Sequence, residues 1–213
     1  MKRFIVPAGA SVACLAVLGA VLWCRRCPSA CPYSLRFWLE MPRPFVTHHR
    51  LCQVMAPAVG ERILDVGVGT GYYALKVAEW VKPGGSIHAV DIQRQMVDHT
   101  ARRAHALGVN NIELRVAGAC ALPYSDNHFD CAYLVTVLGE IPDQDAALRE
   151  VHRVLRLGGR LVVGELIGDP HMVGFGALRK RAETVGFCYE LRLAGWLGYL
   201  ARFVKITGAR KTP

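Results

Sequence analysis

From residue 62 onward, strand-length apolar runs alternate with segments whose apolar residues recur at helical spacing. That alternation predicts a parallel sheet covered on both faces by helices. The strand-length runs fall at 62–67, 86–92, 112–117, 129–137 and 159–166. Helical spacing is clearest after Pro142, where Ala147, Leu148, Val151, Val154 and Leu155 share one face and Arg149, Glu150, Arg153 and Arg156 take the other. The pair Gly158-Gly159 is expected to end that helix. Beyond Leu166 the pattern changes to a helix over 172–185 and two strands over 187–193 and 197–206, joined closely enough for an antiparallel hairpin. Upstream, 34–56 reads as one or two short helices interrupted by Pro42 and Pro44.

The chain's first residues have a different character. No charged residue occurs from Phe4 to Cys24, and about 20 such residues suffice to cross a bilayer. Lys2 and Arg3 precede this run and Arg25 and Arg26 follow it, a pattern shared by a retained anchor and a signal peptide. The length of the apolar run and the lack of a small-x-small cleavage site favour an anchor. The expectation is therefore a single-pass N-terminal transmembrane helix, with the domain that follows it on the cytosolic side. The expected division is 1–33 for the anchor and its basic, Cys-rich flank, 34–56 for a helical lead, and 57–213 for the main domain.

Composition sharpens this division. A chain of 213 residues that is 52% hydrophobic can build one domain with a sizeable core. The net charge of +9 is concentrated at the start: up to Arg50 there are seven basic residues against Glu40 alone. Basic residues beside an apolar run suit anionic lipid headgroups or a solvated linker better than a nucleic-acid groove. Of the eight cysteines, Cys120, Cys131 and Cys188 lie in or beside strand-like runs and read as small core residues. Cys24, Cys27 and Cys31 cluster after the apolar run and suggest S-palmitoylation. Their spacing lacks the second matched pair of a metal site, so no metal is expected.

The chemistry centres on Ile63-Leu64-Asp65-Val66-Gly67-Val68-Gly69-Thr70-Gly71-Tyr72-Tyr73, a strand running into glycines and then a helix. Glycines let backbone N–H groups approach a ligand, and a helix start favours anionic or polar groups. The spacing is G-x-G-x-G, with Tyr72 where a dinucleotide fold places its third glycine, which counts against NAD. Asp91 ends the next strand-like run, where a carboxylate can accept both ribose hydroxyls of either cofactor.

Residues 64–71 resemble the glycine motif of class I S-adenosylmethionine-dependent methyltransferases, and Val90-Asp91-Ile92 resembles their ribose-binding acid. Ala121-Leu122-Pro123-Tyr124-Ser125-Asp126-Asn127-His128-Phe129-Asp130 is similar to the ALPF-x-D-x-SFD segment of the ubiquinone/menaquinone and type 11 branch. Leu155-Arg156-Leu157-Gly158-Gly159 is similar to that branch's LKPGG turn. The resemblance implies a Rossmann-like seven-stranded sheet and S-adenosyl-L-methionine as cofactor. It places Gly67, Gly69 and Gly71 against the methionine moiety, with Asp65 ordering the loop. Asp91 falls on the ribose and Ile92 on the adenine. Ala119 and Cys120 occupy the adenine region where the family often has Gly-Asp-Ala, so adenine recognition there rests on backbone and packing.

Candidates for the methyl side are Tyr72, Glu140 and His49. Each has a plainer reading: Tyr72 as cofactor lining, Glu140 as a helix cap, and His49 as linker. The expected acceptor is a small lipophilic or membrane-associated molecule such as a quinone or lipid. Other readings are a protein or nucleic-acid methyltransferase, disfavoured because Thr136-Val137-Leu138-Gly139 replaces [DN]-P-P-[YF], and a catalytically silent cofactor-binding adaptor, suggested by Ala119. Nucleic acid is not an expected partner.

Overall fold

The computed structural model describes residues 28–43 and 45–206. A short 3-10 turn (Tyr33–Leu35) leads into α1 (Arg36–Glu40) and α2 (His48–Met55). There follow β1 (Arg62–Val66), α3 (Ala74–Trp80), β2 (Ser86–Asp91), α4 (Arg94–Ala106), β3 (Ile112–Val116) and β4 (Phe129–Val135). The chain ends with α5 (Gln144–Val154), β5 (Leu155–Leu166), α6 (Phe175–Val185), β6 (Phe187–Gly195) and β7 (Gly198–Lys205). The seven strands form one sheet in the order β3-β2-β1-β4-β5-β7-β6. Strands β1 to β5 pair in parallel, and β7 runs antiparallel to both β5 and β6. The Rossmann-like mixed sheet and its final hairpin match the sequence reading.

Strand alternation divides the core between the two faces of the sheet. Leu64 and Val66 of β1 point into one cluster with Leu148, Val151 and Val154 of α5 and Leu178 and Ala182 of α6. Ile63 points into the other, with Leu51, Val54 and Met55 of α2 and Ala74, Val77 and Ala78 of α3. The lead therefore contributes to the same core as the sheet.

One turn departs from expectation. Helix α5 ends at Val154, before the glycine pair, because Leu155 already pairs with Phe129 of β4. The next pair in register is Cys131 with Arg160, so 156–159 bulge out of the ladder. Gly158 adopts φ 73° there, and a Cβ on Gly159 would lie 2.7 Å from the Arg156 carbonyl oxygen. The glycines serve a strand bulge, which Asp130 braces by accepting from Arg156 Nε at 2.6 Å.

The expected N-terminal transmembrane helix requires correction. Among the described residues no helix is long and apolar enough to cross a membrane. The longest, α4, has 13 residues and spans about 20 Å against a hydrocarbon core of about 30 Å. The run over 4–24 on which that expectation fell lies outside the described residues, as do Cys24 and Cys27. The single-pass location drawn from it is corrected with it.

Candidate active site

The first strand stops at Val66 because Gly67 takes φ 83°, a left-handed backbone that turns the chain across the sheet edge. Gly67 and Val68 donate their N–H groups to the Val90 carbonyl at 2.8 and 3.0 Å, so the loop folds onto the tip of β2. Side chains are excluded on steric grounds as well. A Cβ on Gly67 would meet Val137 Cγ2 at 2.5 Å, and one on Gly71 would meet Thr100 Cγ2 at 2.7 Å.

Asp91 completes the turn from below. Its Oδ2 accepts from Gly69 N–H at 2.9 Å and its Oδ1 from Gln93 N–H at 2.9 Å. Burial pushes its carboxyl up against these hydrogen bonds. Each oxygen retains a lone pair for a further donor, which is the arrangement needed to receive a vicinal diol.

These groups open on a cavity of about 490 Å³ at the C-terminal edge of the parallel strands, the position where open α/β sheets hold ligands. Gly67, Gly69, Tyr72, Asp91, Ile92, Ala119, Cys120 and Glu140 all line it. Asp65 does not. It lies on the opposite face of β1, where its Oδ2 accepts from the Tyr133 hydroxyl at 2.6 Å. Burial pushes its carboxyl up to about 7, with the Asp91 charge adding to the effect and the Tyr133 hydrogen bond opposing it. Gly71 shapes the loop from behind. His49 is exposed and does not line the cavity; its neighbour His48 stacks on Tyr72 at 4.6 Å and has Nε2 2.9 Å from the Tyr72 carbonyl oxygen. Cys120, expected in the core, is exposed.

Glu140 closes a 3-10 turn, Leu138–Glu140, beyond β4. It does not cap the next helix, since Asp143 does so by accepting from Ala146 N–H at 2.8 Å. Burial pushes the Glu140 carboxyl up to about 7. Asp169 and Asp91 raise it further, while the Cys31 N–H and Arg43 act in the opposite sense. Nearby Glu165 is buried on β5, and burial pushes it up to about 8. The cavity thus holds a carboxyl poised near neutrality beside an apolar wall of Val66, Val90, Val135, Val137 and Ile141. Among the described residues no group of His, Cys, Asp and Glu could hold a metal ion.

The stretch 45–175, more than half the chain, matches the ubiE/COQ5 methyltransferase family. The chain belongs to that family. It is, by family, a class I S-adenosylmethionine-dependent methyltransferase of the UbiE-like branch, and S-adenosylmethionine is the cofactor. The ubiquinone/menaquinone biosynthesis C-methyltransferase UbiE of Hahella chejuensis is 43% identical over 108 residues, 50% of this chain and 43% of that protein. The demethylmenaquinone methyltransferase of Geobacillus kaustophilus is 35% identical over 116 residues, 54% and 49% of the two chains. The chain spans about half the length of the curated relatives it matches. Among solved structures, a SAM-dependent methyltransferase from Aquifex aeolicus superposes with a TM-score of 0.78 at 19% identity, covering 83% of this chain and all of that one. At that identity the likeness is one of fold.

The ubiE/COQ5 motifs led directly to the glycine loop and Asp91. They did not reveal the rest of the rim, which comes from residues distant in sequence. Cys31 ahead of the lead, and Leu39 and Arg43 within it, line the cavity, as do Gln93 and Thr136. Gln93 Nε2 donates to the Cys31 carbonyl at 2.8 Å, His99 Nε2 lies 2.9 Å from Glu40 Oε1, and these contacts hold the lead over α4. Cys31, read from sequence as a lipidation candidate, is half-buried in this rim. The one sequence signal for Thr136 is its place directly after a buried strand, where site residues of open sheets collect.

Proposed function

We propose that this chain transfers a methyl group from S-adenosylmethionine to a ring carbon of a small lipophilic acceptor bearing an ionisable hydroxyl, of the quinol type. The observation that carries this reading is Glu140, a carboxyl held near neutrality in an apolar cavity that it shares with Asp91 and the glycine loop. The names of the Hahella and Geobacillus relatives, a quinone-biosynthesis C-methyltransferase and a demethylmenaquinone methyltransferase, support the acceptor class.

The cavity suits the cofactor. In this reading Gly67 and Gly69 face the methionine moiety, with Gly71 and Asp65 shaping the loop behind them. The free lone pairs of Asp91 accept the ribose hydroxyls. Ile92, 66% exposed at the mouth, covers the adenine, with Ala119 and Cys120 along its edge. When bound, S-adenosylmethionine supplies a methyl group on a cationic sulfur that departs with the bonding pair as a neutral thioether.

The protein's part is to place and deprotonate the acceptor. Glu140 takes the proton from the acceptor hydroxyl, and the freed electron pair on oxygen is delocalised into the ring. A ring carbon then forms the new bond to the methyl group, and its own proton moves to the oxygen to restore the hydroxyl. Glu140 returns its proton to solvent, so one proton is released per turnover. Tyr72 walls the methyl side. Holding both reactants in an apolar cavity supplies the remainder by proximity. His49, exposed on α2, has no part in this scheme.

The test incubates the protein with methyl-labelled S-adenosylmethionine and a demethylated quinol, with Asp91→Ala as control. Label in the quinol that falls at least tenfold in the control is the expected result. Cofactor binding without label in any acceptor would instead favour the silent adaptor suggested by Ala119.

A further inference from the structure

Among the described residues that line the cavity, Arg43 is the one with a permanently cationic side chain. It enters from the lead, just before the family-matched stretch that begins at residue 45. Its guanidinium is positioned rather than loosely solvated. Nη1 donates to Thr136 Oγ1 at 2.8 Å, and the guanidinium carbon lies 5.4 Å from the centre of the Tyr73 ring. Thr136 is itself unusual: its φ of 55° is left-handed, a strained state for a β-branched residue. Its hydroxyl donates to the Val135 carbonyl at 2.7 Å, so toward Arg43 its oxygen acts as acceptor.

An arginine offers five N–H donors in a rigid planar fork, and Thr136 takes one of them. The fork is anchored by a neutral hydroxyl and a ring face at the tip of β4. The acid-bearing turn of Glu140 begins two residues later, and the charge of Arg43 is felt by both Glu140 and the Cys31 thiol. A cation fixed in an apolar cavity, with donors to spare and an acid nearby, is suited to an anion that arrives with the ligand.

We infer that Arg43 is the specificity-determining residue of the acceptor site, binding an ionised acceptor oxygen of the phenolate or enolate class. This deepens the proposed function and takes the reaction from it. Arg43 holds the charge that forms when the hydroxyl proton leaves, and selects acceptors with an acidic hydroxyl over neutral ones of similar shape.

The test is an equilibrium titration of 4-nitrophenol, whose coloured ionised form is read by absorbance, into the full chain saturated with S-adenosylhomocysteine. The wild type binds the ionised form, and Arg43→Gln weakens that binding by about 10- to 100-fold, the range for a charge-assisted hydrogen-bonded contact. S-adenosylmethionine affinity, measured in parallel, changes by less than about twofold; a loss of about tenfold or more would assign Arg43 to the cofactor's own carboxylate and overturn the inference. Arg94→Gln, the same charge change on exposed α4, leaves both unchanged. Should Arg43→Gln fail to fold, Thr136→Val keeps the arginine without its anchor, and a several-fold loss of the phenolate is expected. Equal phenolate affinity in wild type and variant, or none in the wild type, overturns the inference. Arg43-dependent phenolate binding in a protein that methylates no phenolic acceptor would overturn the proposed reaction and leave this inference standing.

Discussion

Asp65→Asn isolates the cost of keeping an acid beneath the glycine loop. The Asp65 carboxyl rises from an ordinary 3.8 to about 7 on folding, chiefly through burial. Between those values the folded chain binds the proton more tightly than the unfolded chain, so stability falls as pH rises from about 4 to about 7 and then levels. At about 1.4 kcal/mol per unit, the cost is about 4 kcal/mol at pH 8 and about 1.5 kcal/mol at pH 5. Asparagine carries no such term, and its Oδ1 can still accept from the Tyr133 hydroxyl that now lies 2.6 Å from Asp65. Whatever the new amide N–H groups cost is the same at both pH values. The stability of the variant relative to wild type should therefore improve by about 2.5 kcal/mol between pH 5 and pH 8. Glu140 and Glu165, which burial also raises, titrate in both proteins and drop out of the difference. Urea unfolding followed by circular dichroism at the two pH values measures it. A difference that stays within about 0.5 kcal/mol across that range would refute a raised, buried acid at this position.

Glu140→Gln should cut kcat/KM by about 10²- to 10⁴-fold. In the wild type kcat/KM should climb about tenfold per pH unit below about 7 and flatten above it, as the base form fills, while the variant's profile stays flat over that range. Gly67→Ala should lower cofactor affinity at least tenfold by calorimetry, because the added Cβ meets Val137 Cγ2 at 2.5 Å and the φ of 83° disfavours alanine. Adding Val137→Ala removes the collision but not the backbone strain, so it should restore only part of that loss.

The sheet was legible because its cause is local. The unbroken apolar run of β1, buried from Ile63 to Val66, and the helical stripe of α5 are written in consecutive residues, as are Gly67-Val68-Gly69 and Asp91. The strand bulge at 156–159 was not legible, since it depends on which residue of β4 faces Leu155. A glycine pair after a helical stripe reads equally well as a helix stop. Asp65 had the same limitation: its place in the strand was clear, but its partner Tyr133 lies 68 residues away and only the pairing of β1 with β4 brings them together. Glu140 was legible as a candidate, whereas its raised pKa was not, because its burial and the charges of Asp169 and Asp91 arise from the tertiary fold.

The division of the cavity between near and distant sequence has a consequence for specificity. The part that the proposed reading gives to the cofactor is built by backbone: left-handed glycines, N–H groups bonded to Val90 and Asp91, and close approaches that exclude a Cβ. Such a part tolerates little variation, because a single added carbon collides with Val137 or Thr100. The rest of its wall is built by side chains, with Thr136 at the β4 tip, Cys31 ahead of the lead, and Leu39 and Arg43 within it. Side chains there can change without disturbing the ladder of β1, β2 and β4. On the proposed reading, binding of the methyl donor is therefore fixed by the fold, and the choice of acceptor is set by a short segment that reaches across α4 through Glu40 and His99. Changes at Arg43 should alter which hydroxylated ring is methylated before they alter cofactor affinity, and changes in the glycine loop should do the reverse.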